Sequence, residues 1–185
     1  MKLRVEMAGE PELRDKLLND LDNMSRLVRE GIAYARSSES LEETSLKLEL
    51  NAWINSIACD YQDIGKNVHF QASETRLPIV TRPQALRRVM TNLLDNALKF
   101  GERAVIAIDD SSDSEVIIHI MDDGPGIPEA ELEAVLQPFY RVETSRNRDT
   151  GGTGLGLAIA AQLTAQLEGK LRLANRAGGG LDVAI

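Results

Sequence analysis

Two carboxamides and an ammonium fall along one line of a single helical segment. Asn92, Asn96 and Lys99 stand at i, i+4 and i+7, with Arg88 one turn earlier. Leu86, Val89, Leu93 and Ala97 occupy the neighbouring stripe and suit packing on a sheet. An amide oxygen is a neutral hard ligand for Mg²⁺, and an ammonium nearby can meet a phosphate. Asn is mildly unfavourable inside a helix, so two aligned Asn call for a reason; a solvated helix face is the other one. Asp122-Asp123-Gly124-Pro125-Gly126 follows a strand-like run, Val116–Met121. A carboxylate at a strand end can accept from an exocyclic amine such as that of adenine, and glycines let backbone approach a ligand closely. An ordinary Asp/Gly/Pro turn has the same composition. Gly151-Gly152-Thr153-Gly154-Leu155-Gly156 opens a helical segment, where exposed amides and the positive dipole end favour anions. It lacks the Gly-Lys-Ser/Thr ending of a Walker A loop and opens no βαβ unit, so it is neither standard nucleotide loop. Preceded by Arg141, Arg146 and Arg148, it reads as a lid over a polyphosphate or as a flexible linker.

The elements that must position these residues follow from periodicity. The 185 residues are 43% hydrophobic, enough for one core plus a helical appendage. A single Cys (Cys59) excludes an internal disulfide framework and a cysteine zinc cluster. A net charge of −8 argues against holding a nucleic-acid backbone, so no nucleic-acid partner is expected. From Pro11, the residues Leu13, Leu17, Leu21, Met24, Val28, Ile32 and Ala35 form a helical stripe that calls for a partner helix, unless it packs on its own domain. Met1–Ala8 reads as the tail of an earlier helix, and Ser37–Glu43 as the boundary.

Beyond the boundary, a strand is expected near Leu46–Leu50, a helix over 51–64, and a strand from Val68. Thr81-Arg82-Pro83-Gln84 resembles a capping box opening the helix that Gly101 closes after Phe100. Strands are expected at 104–109 and 115–121, with one short helical piece, 129–136, in the long stretch to Thr153. A helix over 155–168 and strands at 170–174 and 181–185 complete an α+β two-layer sandwich.

Taken in order, the three polar segments resemble the ATP-binding catalytic domain of sensor histidine kinases, of the Bergerat-fold ATPase superfamily. The run Asn92–Phe100 is similar to the family's N box, Asp122–Gly126 to its G1 box, Pro138-Phe139-Tyr140-Arg141 to its F box and Gly152–Leu157 to its G2 box. The likeness covers about residues 45–185, which makes 1–44 and 45–185 two expected domains. It implies that Asn96 and Asn92 hold Mg²⁺, that Lys99 and Arg141 contact phosphates, and that Asp122 accepts from the adenine amino group. Gly124, Gly126 and Ile127 would shape the pocket wall, Phe139 would belong to the lid, and Gly152, Thr153, Gly154, Leu155 and Gly156 would wrap the phosphates. The implied ligands are Mg·ATP or Mg·ADP.

By the same likeness, residues 1–44 resemble the end of the hairpin that carries the phosphoacceptor His and pairs into a homodimer. The parent would sit in the bacterial cell membrane through upstream segments, with this part cytoplasmic, and would pass phosphate to a response-regulator receiver domain. The His motif is not found; His69 and His119 both fall on expected strands. A fragment lacking that His is expected not to phosphorylate itself. Two departures stand out: Leu136 replaces a usual Phe, and Gly178-Gly179-Gly180-Leu181 only loosely matches the last glycine box. The weighed alternatives are a Bergerat ATPase or protein serine kinase, and a dimerisation module with a regulatory nucleotide site. Hydrolysing members usually place a Glu base where Asn92 stands.

Overall fold

The computed structural model describes residues 11–37, 43–112, 114–142 and 152–185. Helix α1 (Pro11–Ser37) carries the apolar stripe. Leu17, Met24, Val28 and Ile32 are exposed along it, and Leu27 joins them. The stripe is therefore not spent on this chain's own domain there, whereas Tyr34, near the helix end, packs against the core. The expected Met1–Ala8 helix tail lies outside the described residues, as do residues 38–42 of the expected boundary.

The α/β part begins with strand β1 (Leu46–Glu49) and helix α2 (Leu50–Asp63). Glu49 caps α2 by accepting from the Asn51 and Ala52 amides, and it accepts from Leu77 N–H as well. Strands β2 (Val68–Gln71) and β3 (Pro78–Thr81) follow, and β3 pairs antiparallel with β1 as a separate two-stranded sheet. No alternation in Pro78-Ile79-Val80-Thr81 announces β3; pairing with β1 makes it a strand.

Helix α3 (Pro83–Phe100) begins where expected, but its cap corrects the sequence reading. Thr81 is the end of β3, and the N-cap residue, Arg82, makes no side-chain cap. The Gln84 and Ala85 amides instead donate to the Glu43 carboxylate at 2.6 and 2.9 Å. A carboxylate at a helix start satisfies orphan amides and opposes the dipole, wherever in the chain it originates.

Strands β4 (Ala104–Asp109) and β5 (Ile117–Asp122), two short 3₁₀ turns (Glu129–Glu131 and Ala134–Leu136), helix α4 (Gly156–Gln166) and strands β6 (Arg172–Asn175) and β7 (Leu181–Ala184) complete the order. Two 3₁₀ turns thus replace the single helical piece expected over 129–136. The main sheet runs β2-β4-β5-β7-β6, with β2 and β4 parallel and the other neighbours antiparallel. Alternation sends Val68, Ala104, Ile106, Ile118, Ile120, Leu181 and Val183 into the core against α2, α3 and α4. His119 points to the opposite face and pairs with Asp182 at 3.0 Å, while His69 is exposed on β2. The α+β two-layer architecture, led by a helix, is as read from the sequence.

Candidate functional site

The core that α3 buries (Leu86, Val89, Met90, Leu93, Leu94 and Ala97) locks its orientation, so its polar line faces a fixed direction. Asn96, Lys99 and Phe100 line a cavity together with the end of β5, the loop after it and the start of α4. It encloses about 820 Å³ counting its open mouth.

At one end lies Asp122, 5% exposed and the last residue of β5. Its Oδ1 accepts from Gly124 N–H (2.9 Å) and Leu181 N–H (3.0 Å), and its carbonyl accepts from the Arg176 guanidinium (2.6 Å). Oδ2 takes no hydrogen bond among the described residues and is left for whatever enters the cavity. Burial pushes the Asp122 carboxyl above its usual range, with the Asp123 charge adding to the effect; the two backbone bonds and Arg176 pull the other way. Its neighbour behaves oppositely. Asp123 accepts from the Glu102 and Arg103 amides, which hold its carboxyl below the usual range and tie β5 to the end of α3.

Close backbone approach shapes the wall beside Asp122. A Cβ on Gly124 would come within 2.7 Å of the Phe100 carbonyl oxygen, and one on Gly180 would strike the Asp122 carbonyl. Gly126 adopts φ +74°. At the other end, α4 starts at Gly156 with no side-chain cap on its first turn, leaving its amides to an anion. Gly152 packs so closely on the Lys99 ammonium that a Cβ there would collide with it. Lys99 lies 4.9 Å from the centroid of the Phe100 ring.

Nine of the residues singled out from the sequence line this one cavity: Asn96, Lys99, Asp122, Gly126, Ile127, Arg141, Gly152, Gly154 and Gly156. Five do not. Asn92 donates its amide back to the Arg88 carbonyl (2.7 Å), which turns the nitrogen into the helix. Gly124 acts behind the wall, through its contact with Phe100 and its bond to Asp122. The Leu155 side chain is fully buried in the core, so only its backbone belongs to the glycine loop. Phe139 is 56% exposed with φ +64° and donates its N–H to the Gly154 carbonyl (3.0 Å), joining the two loops outside the cavity. Thr153 lies beside the lining. Arg146, Arg148 and Gly151, parts of the expected lid, lie outside the described residues.

The sequence reading missed Val135 and Val142 in the lining, gave no role there to Tyr140 and Leu181, and missed Asn175 and Arg176 behind it. Tyr140 donates to Glu131 at 3.0 Å. Among the described residues no three His, Cys, Asp or Glu side chains group as a metal cage. A divalent ion would fit as Mg²⁺ commonly binds, through one or two protein oxygens and a ligand's phosphates. Asn96 suits that role, since its carboxamide has no hydrogen-bond partner among the described residues and lines the cavity. Among the described residues no helix is long and apolar enough to cross a membrane.

Residues 81–185 match the family described as histidine kinase-, DNA gyrase B- and HSP90-like ATPase. The sensor histidine kinase GtrS of Pseudomonas aeruginosa is 36% identical over all of this chain and 37% of its own length. The sensor histidine kinase CpxA of Escherichia coli is 30% identical over 95% of this chain, again 37% of its length. The chain therefore spans little more than a third of these curated relatives. Among solved structures, the ATP-binding domain of PrrB from Mycobacterium tuberculosis aligns over 77% of this chain and 95% of that one, at 26% identity and a TM-score of 0.62.

Proposed function

This chain belongs to the histidine kinase-, DNA gyrase B- and HSP90-like ATPase family, and from that premise we propose that it is the Mg·ATP-binding catalytic part of a sensor histidine kinase. The observation that carries this reading is the unsatisfied Asp122 Oδ2 at one end of a cavity whose other end is an uncapped helix start beside Lys99. A nucleotide is polar at both ends in that sense: an amine on the base, and anionic oxygens on the phosphates.

In this assignment Asp122 Oδ2 accepts from the adenine amino group, and Gly126 and Ile127 form the wall along the base. Lys99, Arg141 and the first amides of α4 face the phosphates, and Asn96 offers its oxygen to a Mg²⁺ ion. Bound there, such an ion would supply neutralisation of phosphate charge. Asn92, whose nitrogen is bonded back to Arg88, keeps its oxygen toward Gly156 at the start of α4 and would line the same ion site beside Asn96. Phosphoryl transfer needs in-line positioning and charge neutralisation more than covalent help, and these residues supply both. The P–O bond to the β-phosphate breaks and a P–N bond to a histidine of the dimerisation hairpin forms. An Asp of a response-regulator receiver domain then takes the group.

Residues 1–44 belong to that hairpin, and residues 45–185 form the catalytic domain. The exposed stripe of α1 pairs with helices of a second copy. The parent sits in the bacterial cell membrane through other segments, with this part on the cytoplasmic side.

The test uses γ-labelled ATP and Mg²⁺, with the chain alone and with a separately supplied His-bearing hairpin. Label is expected on the hairpin, weakly and in proportion to its concentration, and none on this chain. His69 is exposed on β2, and His119 is held by Asp182 on the sheet face opposite the helices. Acid-labile phosphate on the chain alone, or steady ATP turnover without a hairpin, would overturn the reading. In the same assay Asn96→Ala should lose transfer by about a hundredfold, the size of a lost transition-state charge contact. Binding of ADP by that variant should no longer respond to Mg²⁺; calorimetric titration with and without EDTA reads this.

A further inference from the structure

The base end of the cavity is braced by a residue that belongs to none of the sequence motifs. Asn175 ends β6 and lies outside the cavity lining. Ile127 N–H donates to Asn175 Oδ1 at 2.9 Å, and Asn175 Nδ2 donates to the Ile127 carbonyl at 2.6 Å and to Glu129 Oε1 at 3.0 Å. A carboxamide offers an acceptor and two donors in one plane, so this pair of bonds reproduces on one residue the exchange that pairs neighbouring strands. The loop after β5 is thereby fastened to the sheet edge by a side chain. Contact is close, since a Cβ on Gly126, which stands at φ +74°, would lie 2.6 Å from Asn175 Oδ1. Ile127, so held, and its neighbour Gly126 line the cavity with Asp122.

Resting on the nucleotide reading above, the geometry points to Asn175 as a positioning residue for the base. It sets where Ile127 stands relative to the Asp122 acceptor, and so the width of the slot that receives the ring. The phosphate end, built from α3 and the start of α4, shares none of its bonds. Asn175 should therefore contribute to base affinity and leave the phosphate contribution alone.

The test is calorimetric titration of the full chain and its Asn175→Ala variant with adenosine and with Mg·ADP. Loss of the paired bonds is expected to weaken both ligands about fivefold to tenfold, with the ratio between them unchanged. Equal affinities for variant and parent chain would overturn the inference. So would a loss confined to Mg·ADP, because that would place the effect on the phosphates. Asn175→Asp serves where the alanine variant folds poorly: it keeps the acceptor for Ile127 N–H, loses both donated bonds and sets a carboxylate against Glu129. It should weaken both ligands at least as much, and unchanged binding by it would also overturn the inference. Failure of the parent chain to bind either ligand would instead overturn the nucleotide reading itself.

Discussion

Asp122→Asn should lower the affinity for Mg·ATP and Mg·ADP by about a hundredfold while the domain stays folded. One oxygen of Asp122 is already committed to the Gly124 and Leu181 amides, and only the other faces the cavity. An Asn can keep the committed oxygen, but it then turns an NH₂ toward the amine of the base, donor against donor. A hydrogen bond to a charged acceptor is worth about 1.5–3 kcal/mol, and the added donor clash brings the loss to about two decades in Kd. Asp122→Ala is the poorer probe, since it strands the buried Leu181 amide and the part-buried Gly124 amide and costs stability as well. Calorimetric titration beside a melting curve separates these outcomes; unchanged affinity for Asp122→Asn would remove the base assignment.

The raised pKa of Asp122 adds a pH signature with two opposite signs. Binding uses the ionised oxygen, so affinity should fall as pH drops through the raised value. The empty fold behaves the other way. A carboxyl that takes its proton more readily when folded contributes stability at low pH, and that contribution is lost as pH rises through the folded value. Nucleotide and protons thus compete for the same oxygen. Over the pH range in which the affinity of the parent chain falls, Asp122→Asn should show a flat, low profile.

Gly180→Ala should destabilise the domain by about 3 kcal/mol or more, lowering Tm by about 10 °C. Gly180 sits at φ +95°, where an L side chain is strained, and its Cβ would strike the Asp122 carbonyl oxygen. That oxygen belongs to the backbone and also accepts from Arg176, so it has little room to yield. Relief requires the turn after β6 to lift, which moves Leu181 N–H away from Asp122 Oδ1. Nucleotide affinity should therefore fall together with stability. Gly178→Ala is the control, because an added Cβ there meets nothing within 4 Å. A Gly180→Ala chain that melts like its parent would contradict the close packing of the β6–β7 turn behind the site.

Much of the site was legible because its parts are local. The line Asn92-Asn96-Lys99 depends only on helical repeat, and the buried stripe beside it guarantees which way that line faces. The choice of Asp122 over Asp123 came from the family resemblance, and the structure supplies a local cause for it. Asp122 continues the inward alternation of Ile118 and Ile120, while Asp123 has left the strand and turns to the end of α3. The order of the elements other than β3 and the two-layer class followed from the same periods of two and about 3.6. The apolar stripe of α1 was likewise announced by spacing, and the structure showed that much of it is exposed.

What spacing cannot announce is a bond whose partners are far apart in the chain. Glu43 caps α3 from about 40 residues upstream, where a local box at Thr81 had the right composition but the wrong position. β3 exists because β1 pairs with it, not because its four residues alternate. Asn175 holds Ile127 across 48 residues, and no pattern near either residue hints at the other. The sequence by itself determined the types of chemistry, the elements that bear them and the face each presents, because these depend on neighbours within one or two turns. Only the tertiary structure decided which of those residues meet at one cavity, that the Asn92 nitrogen turns back to Arg88, that Leu155 is core, and what braces Asp122 and Ile127. Those outcomes depend on contacts closed by the whole chain, whose energies no local window contains.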